Sequence, residues 1–193
     1  MTTTTMTAPE YPARYDVAYP ERLSRVTTLF RGILILPIAL VQVLVASSVS
    51  YLTLATVLML LFVKKYPQQW FEWALYLQQF GGRVGIYGGL LTDQYPSTTD
   101  SQALTLEAEL SPSLNRFLPL VKWLLAVPHY IVLVFLAMAA VVVTVIAWFA
   151  ILITGRYPRG MFDFVVGVGR WAWRVTAYVS LLSTDRYPPF SLK

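Results

Sequence analysis

Two stretches without a single charge constrain this chain more than any other feature. Residues 32–63 and 123–155 contain no Asp, Glu, Lys or Arg. Each exceeds the roughly 20 residues with which a helix crosses the hydrocarbon core of a bilayer. A chain of 193 residues is too small to wrap two such blocks inside a water-soluble core. Composition agrees, since 56% of the residues are apolar and only 13% are charged, a balance that suits lipid as the solvent. The charges that exist flank the blocks, and 15 Lys and Arg outnumber 10 Asp and Glu. An excess of cations beside apolar spans points to anionic headgroups, not nucleic acid. Residues 1–13, rich in Thr and Pro, lack the charged start and apolar run of a secretory signal and read as a short flexible cytoplasmic tail. The expected location is therefore a membrane, with both termini cytoplasmic. With no cysteine, disulfides, thiolate metal ligands and cysteine nucleophiles are excluded.

The blocks belong to one unit written twice. Sliding the sequence by 91 residues aligns residues 23–92 without a gap and gives 18 identities in 70 positions. The polar and special residues coincide: Arg25 with Arg116, Pro37 with Pro128, Tyr66-Pro67 with Tyr157-Pro158, Arg83 with Arg174, and Tyr87 with Tyr178. Such residues are rare in membrane segments, so their alignment marks a repeat. After a one-residue insertion Asp93-Gln94-Tyr95-Pro96 falls on Asp185-Arg186-Tyr187-Pro188, which sets the units at residues 14–97 and 98–193.

Each unit opens with alternation of period two, Tyr15, Val17 and Tyr19 in the first and Leu106, Ala108 and Leu110 in the second, the pattern of a strand. Neither strand is stable alone, so the two are expected to pair as a small ribbon. A basic segment follows, residues 22–31 or 116–122, leading through Pro37 or Pro128 into the apolar block. A block of this length, about 48 Å as one helix, exceeds a hydrocarbon thickness of about 30 Å. Two geometries follow. In the first, each block is a tight helical hairpin turning near Ser47-Ser48 and Ala139-Ala140, with all charges on one face. In the second, proline separates an interfacial helix from one spanning helix. The hairpin is favoured because charge bias and strand pairing both require an even number of crossings per unit.

The third element of each unit, residues 68–91 and 160–182, carries polar residues at helical spacing. Glu72, Gln79 and Arg83 align with Asp163, Arg170 and Arg174, separated by seven and four residues, so each set forms one stripe. Together with Trp70, Trp73, Trp171 and Trp173 they suggest an amphipathic helix in the headgroup layer. The alternative is a spanning helix whose stripe lines a polar path. The expected fold is thus mainly α: an integral membrane protein of two tandem repeats, each with a long apolar hairpin and an amphipathic interfacial helix, plus a short β-ribbon.

Lys65-Tyr66-Pro67 and Arg156-Tyr157-Pro158 directly follow the apolar blocks, where basic side chains snorkel to phosphate and tyrosine suits the half-wet layer. Arg156, Arg159, Arg170, Arg174 and Arg186, with Tyr157 and Tyr187 in the second unit and Lys65, Tyr66 and Arg83 in the first, are the candidate contacts to an anionic headgroup or protein partner, since guanidinium pairs bidentately with phosphate. His129, the single histidine, stands where the first unit has Ile38 and reads as a structural hydrogen-bonding group. Gly81, Gly82, Gly85, Gly88 and Gly89 permit close helix packing. There is no nucleophile motif, zinc-binding His pair or Walker lysine, and Glu72 and Asp163 precede arginines in the manner of ion pairs. No catalytic residue, metal ligand or cofactor is assigned.

The second unit, with Arg116, Pro128-His129-Tyr130, Gly155-Arg156-Tyr157-Pro158, Arg170-Trp171, Arg174-Val175, Tyr178 and the closing Thr184-Asp185-Arg186-Tyr187-Pro188-Pro189-Phe190, resembles a bacterial membrane family, domain of unknown function 4389. The resemblance extends over residues 107–192. The first unit looks like a diverged copy in which Ile38, Lys64-Lys65 and Ser97 replace the histidine, the Gly-Arg pair and a closing proline. The family carries no assigned activity or cofactor, so the resemblance implies a membrane protein and leaves function open. The expectation is a non-enzymatic structural or accessory component that meets lipid, a membrane-protein partner or a second copy of itself. A small channel or carrier and a membrane-shaping protein are the alternatives.

Overall fold

The computed structural model describes residues 11–98 and 100–193. The fold is mainly helical with one two-stranded sheet. In chain order it runs β1 (Ala13–Val17), α1 (Arg25–Leu34), α2 (Leu36–Val63), α3 (Gln68–Gly88), β2 (Leu104–Ala108), α4 (Pro119–Leu125), α5 (Val127–Thr154) and α6 (Arg159–Val179). Most of the expected tail, residues 1–10, lies outside the described residues, and β1 begins at Ala13.

The apolar blocks are not hairpins. Helices α2 and α5 run unbroken through Ser47-Ser48 and Ala139-Ala140. Neither site has a glycine or proline to reverse the chain. The serines are accommodated because Ser47 and Ser48 donate to the carbonyl of Leu44, and Ser50 to that of Ala46, inside the same helix. The breaks fall at Ile35 and Ala126, just before Pro37 and Pro128, whose rings exclude the preceding turn. The reversal comes after the block instead, where Lys64 and Gly155 adopt the left-handed conformation and Pro67 and Pro158 open the next helix. A hairpin therefore exists in each unit, but it joins the apolar helix to the amphipathic one. Both α2 and α5 are long and apolar enough to cross a membrane.

The two strands pair with each other as expected, and the pairing is antiparallel, with Ala13 opposite Ala108, Tyr15 opposite Leu106 and Val17 opposite Leu104. Under the 91-residue repeat Tyr15 corresponds to Leu106, Ala13 to Leu104 and Val17 to Ala108. The pairing thus maps onto itself, and a pseudo-twofold axis passes between Tyr15 and Leu106.

The same axis makes the units exchange contacts. β1 of the first unit packs on α6 of the second, β2 packs on α3, α1 packs on α5, and α4 touches α2. Arg25 donates to the carbonyl of Ile153 at 3.0 Å, and its counterpart Arg116 donates to that of Leu61. Each limb therefore starts where the other ends, which makes α1–α2 antiparallel to α4–α5. Three tiers result, with α3 and α6 between the ribbon and the apolar helices. On α3, Gly82 lies under Leu104 and Leu106 of the ribbon, whereas Gly81 and Gly88, on the opposite side, meet Gln42 and Ile35 of the α1–α2 limb. A β-carbon at Gly82 or Gly88 would come within 3 Å of those side chains, so glycine permits the close approach. The amphipathic helices are thus the middle of the molecule and not an outer layer; most of α6 is buried or half-buried.

Candidate functional site

The polar stripes of α3 and α6 face the ribbon and the chain ends. Gln79 donates to the carbonyl of Leu106 at 3.0 Å and Arg83 to that of Ser97 at 2.7 Å. On α6, Arg170 donates to the carbonyls of Tyr15 and Leu192 and to the carboxylate of Asp16 at 3.2 Å. Arg174 donates to the carbonyls of Ser191 and Lys193. These side chains latch the ribbon and the C-terminal segment onto the helices. Glu72 and Asp163, the remaining members, are exposed and pair along their own helix with Gln68 and Arg159.

Around the α6 latch the surface opens into a groove of about 630 Å³. Tyr11 and Arg14 from the ribbon side, Arg170 and Arg174 from α6, and Arg186 and Lys193 from the C-terminal segment line it. Asp16 is the one acidic side chain in that lining. Carbonyls take up the donors of Arg174 and Asp16 pairs with Arg170, and five basic side chains against one acidic one make the groove cationic. Burial and then the neighbouring Arg170 press the pKa of Arg174 below its usual value. Burial pushes the Tyr15 phenol up to about 12; Arg170 opposes this shift and Asp16 adds to it. A second groove of about 360 Å³ continues past Arg170 to Tyr19, Arg159 and Asp163. There the Arg159 guanidinium lies 4.3 Å over the Tyr19 ring. In the first unit a depression of about 330 Å³ is lined by Lys64, Lys65, Tyr66 and Gln68 against Leu110 and Leu114.

Of the residues singled out in the sequence, the structure brings Arg170, Arg174 and Arg186 together in the large groove and places Arg159 at its neighbour. It separates the others. Lys65 and Tyr66 lie at the other depression, Arg83 holds the loop at Ser97, and Arg156 is exposed at the α5–α6 turn. Tyr157 is fully buried in the core. Tyr66 donates to the carbonyl of Leu181, and Tyr187 to that of Leu125. These tyrosines are structural links between segments, not a common surface.

His129 is fully buried, as a structural group would be. Its Nδ1 accepts a hydrogen bond from the Trp171 indole at 3.0 Å, which leaves the neutral ring's proton on Nε2. The ring stacks on Phe190 with centroids 4.0 Å apart and touches Tyr187. The tail motif Tyr187-Pro188-Pro189-Phe190 therefore closes over the histidine.

One repeated feature escaped the reading of the sequence. In each unit a buried cation on the short helix meets the aspartate of the closing motif: Arg31 with Asp93 at 2.6 Å, and Lys122 with Asp185 at 2.8 Å. Both cations also donate to the carbonyl before that aspartate, and both lie over an equivalent ring, Tyr87 or Tyr178. The same aspartates receive the backbone N–H of Ser24 and Asn115. The signal was present, because Arg31 aligns with Lys122 as Asp93 does with Asp185, but no sequence spacing links residues about 60 positions apart.

Among the described residues no three His, Asp or Glu side chains converge as a metal site. No curated protein and no solved structure matches the chain. The family model described as a domain of unknown function (DUF4389) matches residues 25–99 and again residues 119–191. Each match takes in the three helices of one unit and together they cover well over half of the sequence, so the chain belongs to the DUF4389 family as a tandem pair of its domains.

Proposed function

We propose that this protein is a non-enzymatic membrane component, structural or accessory in role, that holds anionic lipid headgroups in the groove between β1, α6 and the C-terminal segment. One observation carries the reading: cationic groove and bare apolar helices occur in one small chain. On α5 alone Val134, Phe135, Val141, Val142, Phe149 and Ile153 are all more than half exposed. An apolar surface of that extent needs lipid or protein to cover it. The expected setting is a bacterial inner membrane, with a membrane-protein partner or a second copy as further contacts. The channel alternative draws less support, because Gln79, Arg83, Arg170 and Arg174 spend their donors within the chain.

The test is flotation of detergent-purified protein with vesicles of phosphatidylcholine alone or with a third of phosphatidylglycerol. Preference for the anionic vesicles should fall about tenfold or more in the double variant Arg170→Gln/Arg186→Gln, at roughly 1 kcal/mol per basic residue near the surface. Equal binding to both vesicle types would sink the headgroup reading. Turnover of any substrate that depends on Asp163 or His129 would sink the non-enzymatic one.

A further inference from the structure

Length and composition allow α2 and α5 to cross a bilayer, but the tertiary arrangement constrains how they meet it. The two limbs are antiparallel and related by the axis through Tyr15 and Leu106. If the long helices spanned the membrane, that axis would lie in the membrane plane at mid-depth. The ribbon sits on the axis, so it would lie at mid-depth too. Its outer face carries Arg14, Asp16, Thr105 and Glu107, all exposed. An ionised side chain at the bilayer centre is costly, and such residues turn toward a protein interior or a water-filled cavity. Three exposed charges on one small ribbon make that orientation strongly unfavourable. Spanning would also send Lys64 and Lys65, at the end of α2, to the opposite membrane face from Arg156 and Arg159, after α5. That distribution runs against the usual bias of basic residues to one side.

We infer that α2 and α5 lie along the bilayer, embedded in one leaflet, with the pseudo-twofold axis along the membrane normal. Every tier then meets its preferred solvent. The ribbon and the cationic groove face water and headgroups. Helices α3 and α6 form the middle, with α2 and α5 against the opposite side from the ribbon. The exposed flanks of α2, including Leu40, Val43, Leu44, Leu54 and Leu58, meet acyl chains. Lys64, Lys65 and Arg156, all exposed, stand at the rim, where long basic side chains snorkel to phosphate. The partner is thus a single lipid leaflet, and its area is expanded by two helices each about 42 Å long. An insertion of this kind loads one leaflet more than the other.

This inference rests on the membrane reading above, and one experiment separates their failures. The chain has no cysteine, so Glu107→Cys, Lys65→Cys and Arg156→Cys each introduce a single thiol at an exposed site. Sealed right-side-out and inverted membrane vesicles are treated with an impermeant maleimide. Labelling of all three positions from the same side is the expected result. Lys65→Cys and Arg156→Cys reacting from opposite sides would overturn the inference and leave the membrane reading intact. Spin labels at 40, 44, 54 and 58 give a second readout. Along a leaflet, their depth follows helical phase with no trend from one end of α2 to the other. Labels in a crossing helix instead pass steadily through the mid-plane, which would also overturn the inference. Labels that report no lipid contact at all would reject the membrane reading itself.

Discussion

The two units share a backbone plan but build their interiors from different chemistry. In the first, the residues corresponding to His129 and Trp171 are Ile38 and Phe80, two apolar side chains with no polar atom to satisfy. In the second, the same two positions carry a hydrogen-bonded pair under a stacked Phe190. The clamps differ likewise. Arg31 spreads its donors over the Thr92 carbonyl and Asp93, with its flat guanidinium 3.9 Å over Tyr87. Lys122 concentrates its charge in one ammonium group, and that side chain is only 1% exposed. Asp93 also receives the Thr27 hydroxyl. In the clamps the duplicated fold tolerates exchange of the cation while it keeps its aspartate, its carbonyl and its ring. The second unit concentrates more of its stability in single polar contacts.

The clamps give the largest expected contrast. Asp185→Asn should destabilise the protein by roughly 3–5 kcal/mol, because it strands a buried ammonium group. Asp93→Asn should cost less, since the Arg31 guanidinium spreads its charge over several donors whereas the Lys122 ammonium is a point charge. Chemical unfolding in a mild detergent, followed by tryptophan fluorescence, measures both. The double change Lys122→Met/Asp185→Asn should recover most of the loss, as apolar replacements of buried ion pairs often do. Equal losses in the two units would remove the distinction drawn between them.

Next in size is the histidine pair. His129→Ile leaves the buried Trp171 N–H without its acceptor, at a cost of about 1–3 kcal/mol. Adding Trp171→Phe, which installs the first unit's pair, should return part of that stability. A double-mutant cycle with no coupling would show that the hydrogen bond contributes nothing.

Alkaline pH tests the tyrosines that follow the apolar helices. Burial raises Tyr66 to about 12, with the Thr56 hydroxyl opposing, and raises its counterpart Tyr157 in the same direction. A raised phenol pKa means that the unfolded chain ionises first. The stability contributed is complete below pH 10 and is lost as pH rises toward 12. The unfolding midpoint should drop across that window, and Tyr66→Phe should flatten the drop. An unchanged slope in that variant would show that Tyr66 is not its source.

The smallest effect concerns the turn. Lys64 holds a left-handed conformation, φ 56°, where the second unit has Gly155 at 74°. Lys64→Gly should therefore stabilise the first unit slightly, by at most about 1 kcal/mol, and Gly155→Ala should do the reverse. Melting temperatures that move the other way would mean that the lysine side chain has contacts outweighing the backbone strain.

Periodicity and repetition determined much of this protein directly. Strand pairing, the break at each proline, the duplicated unit and the polar stripes were legible because each depends on residues near in sequence or on equivalence between copies. The unbroken course of α2 and α5 departs from the hairpin that charge bias and strand pairing favour. No residue at Ser47-Ser48 or Ala139-Ala140 reverses the chain, and the serine hydroxyls bond back within the helix. Of the candidate contacts, Arg170, Arg174 and Arg186 converge, whereas Tyr157 is fully buried and the exposed Tyr187 bonds to the Leu125 carbonyl. A residue's type reports that it can meet an interface, while its neighbours in space decide whether it does.

By itself, then, the sequence determined the elements, the apolar character of two of them and the membership of the family. Only the tertiary structure decided that the units interlock, that their limbs are antiparallel, and that the stripes hold the ribbon. Contacts such as Lys122 with Asp185 or Arg170 with Tyr15 join segments that no local pattern relates. The long-range geometry set by such contacts determines which surface is left to lipid.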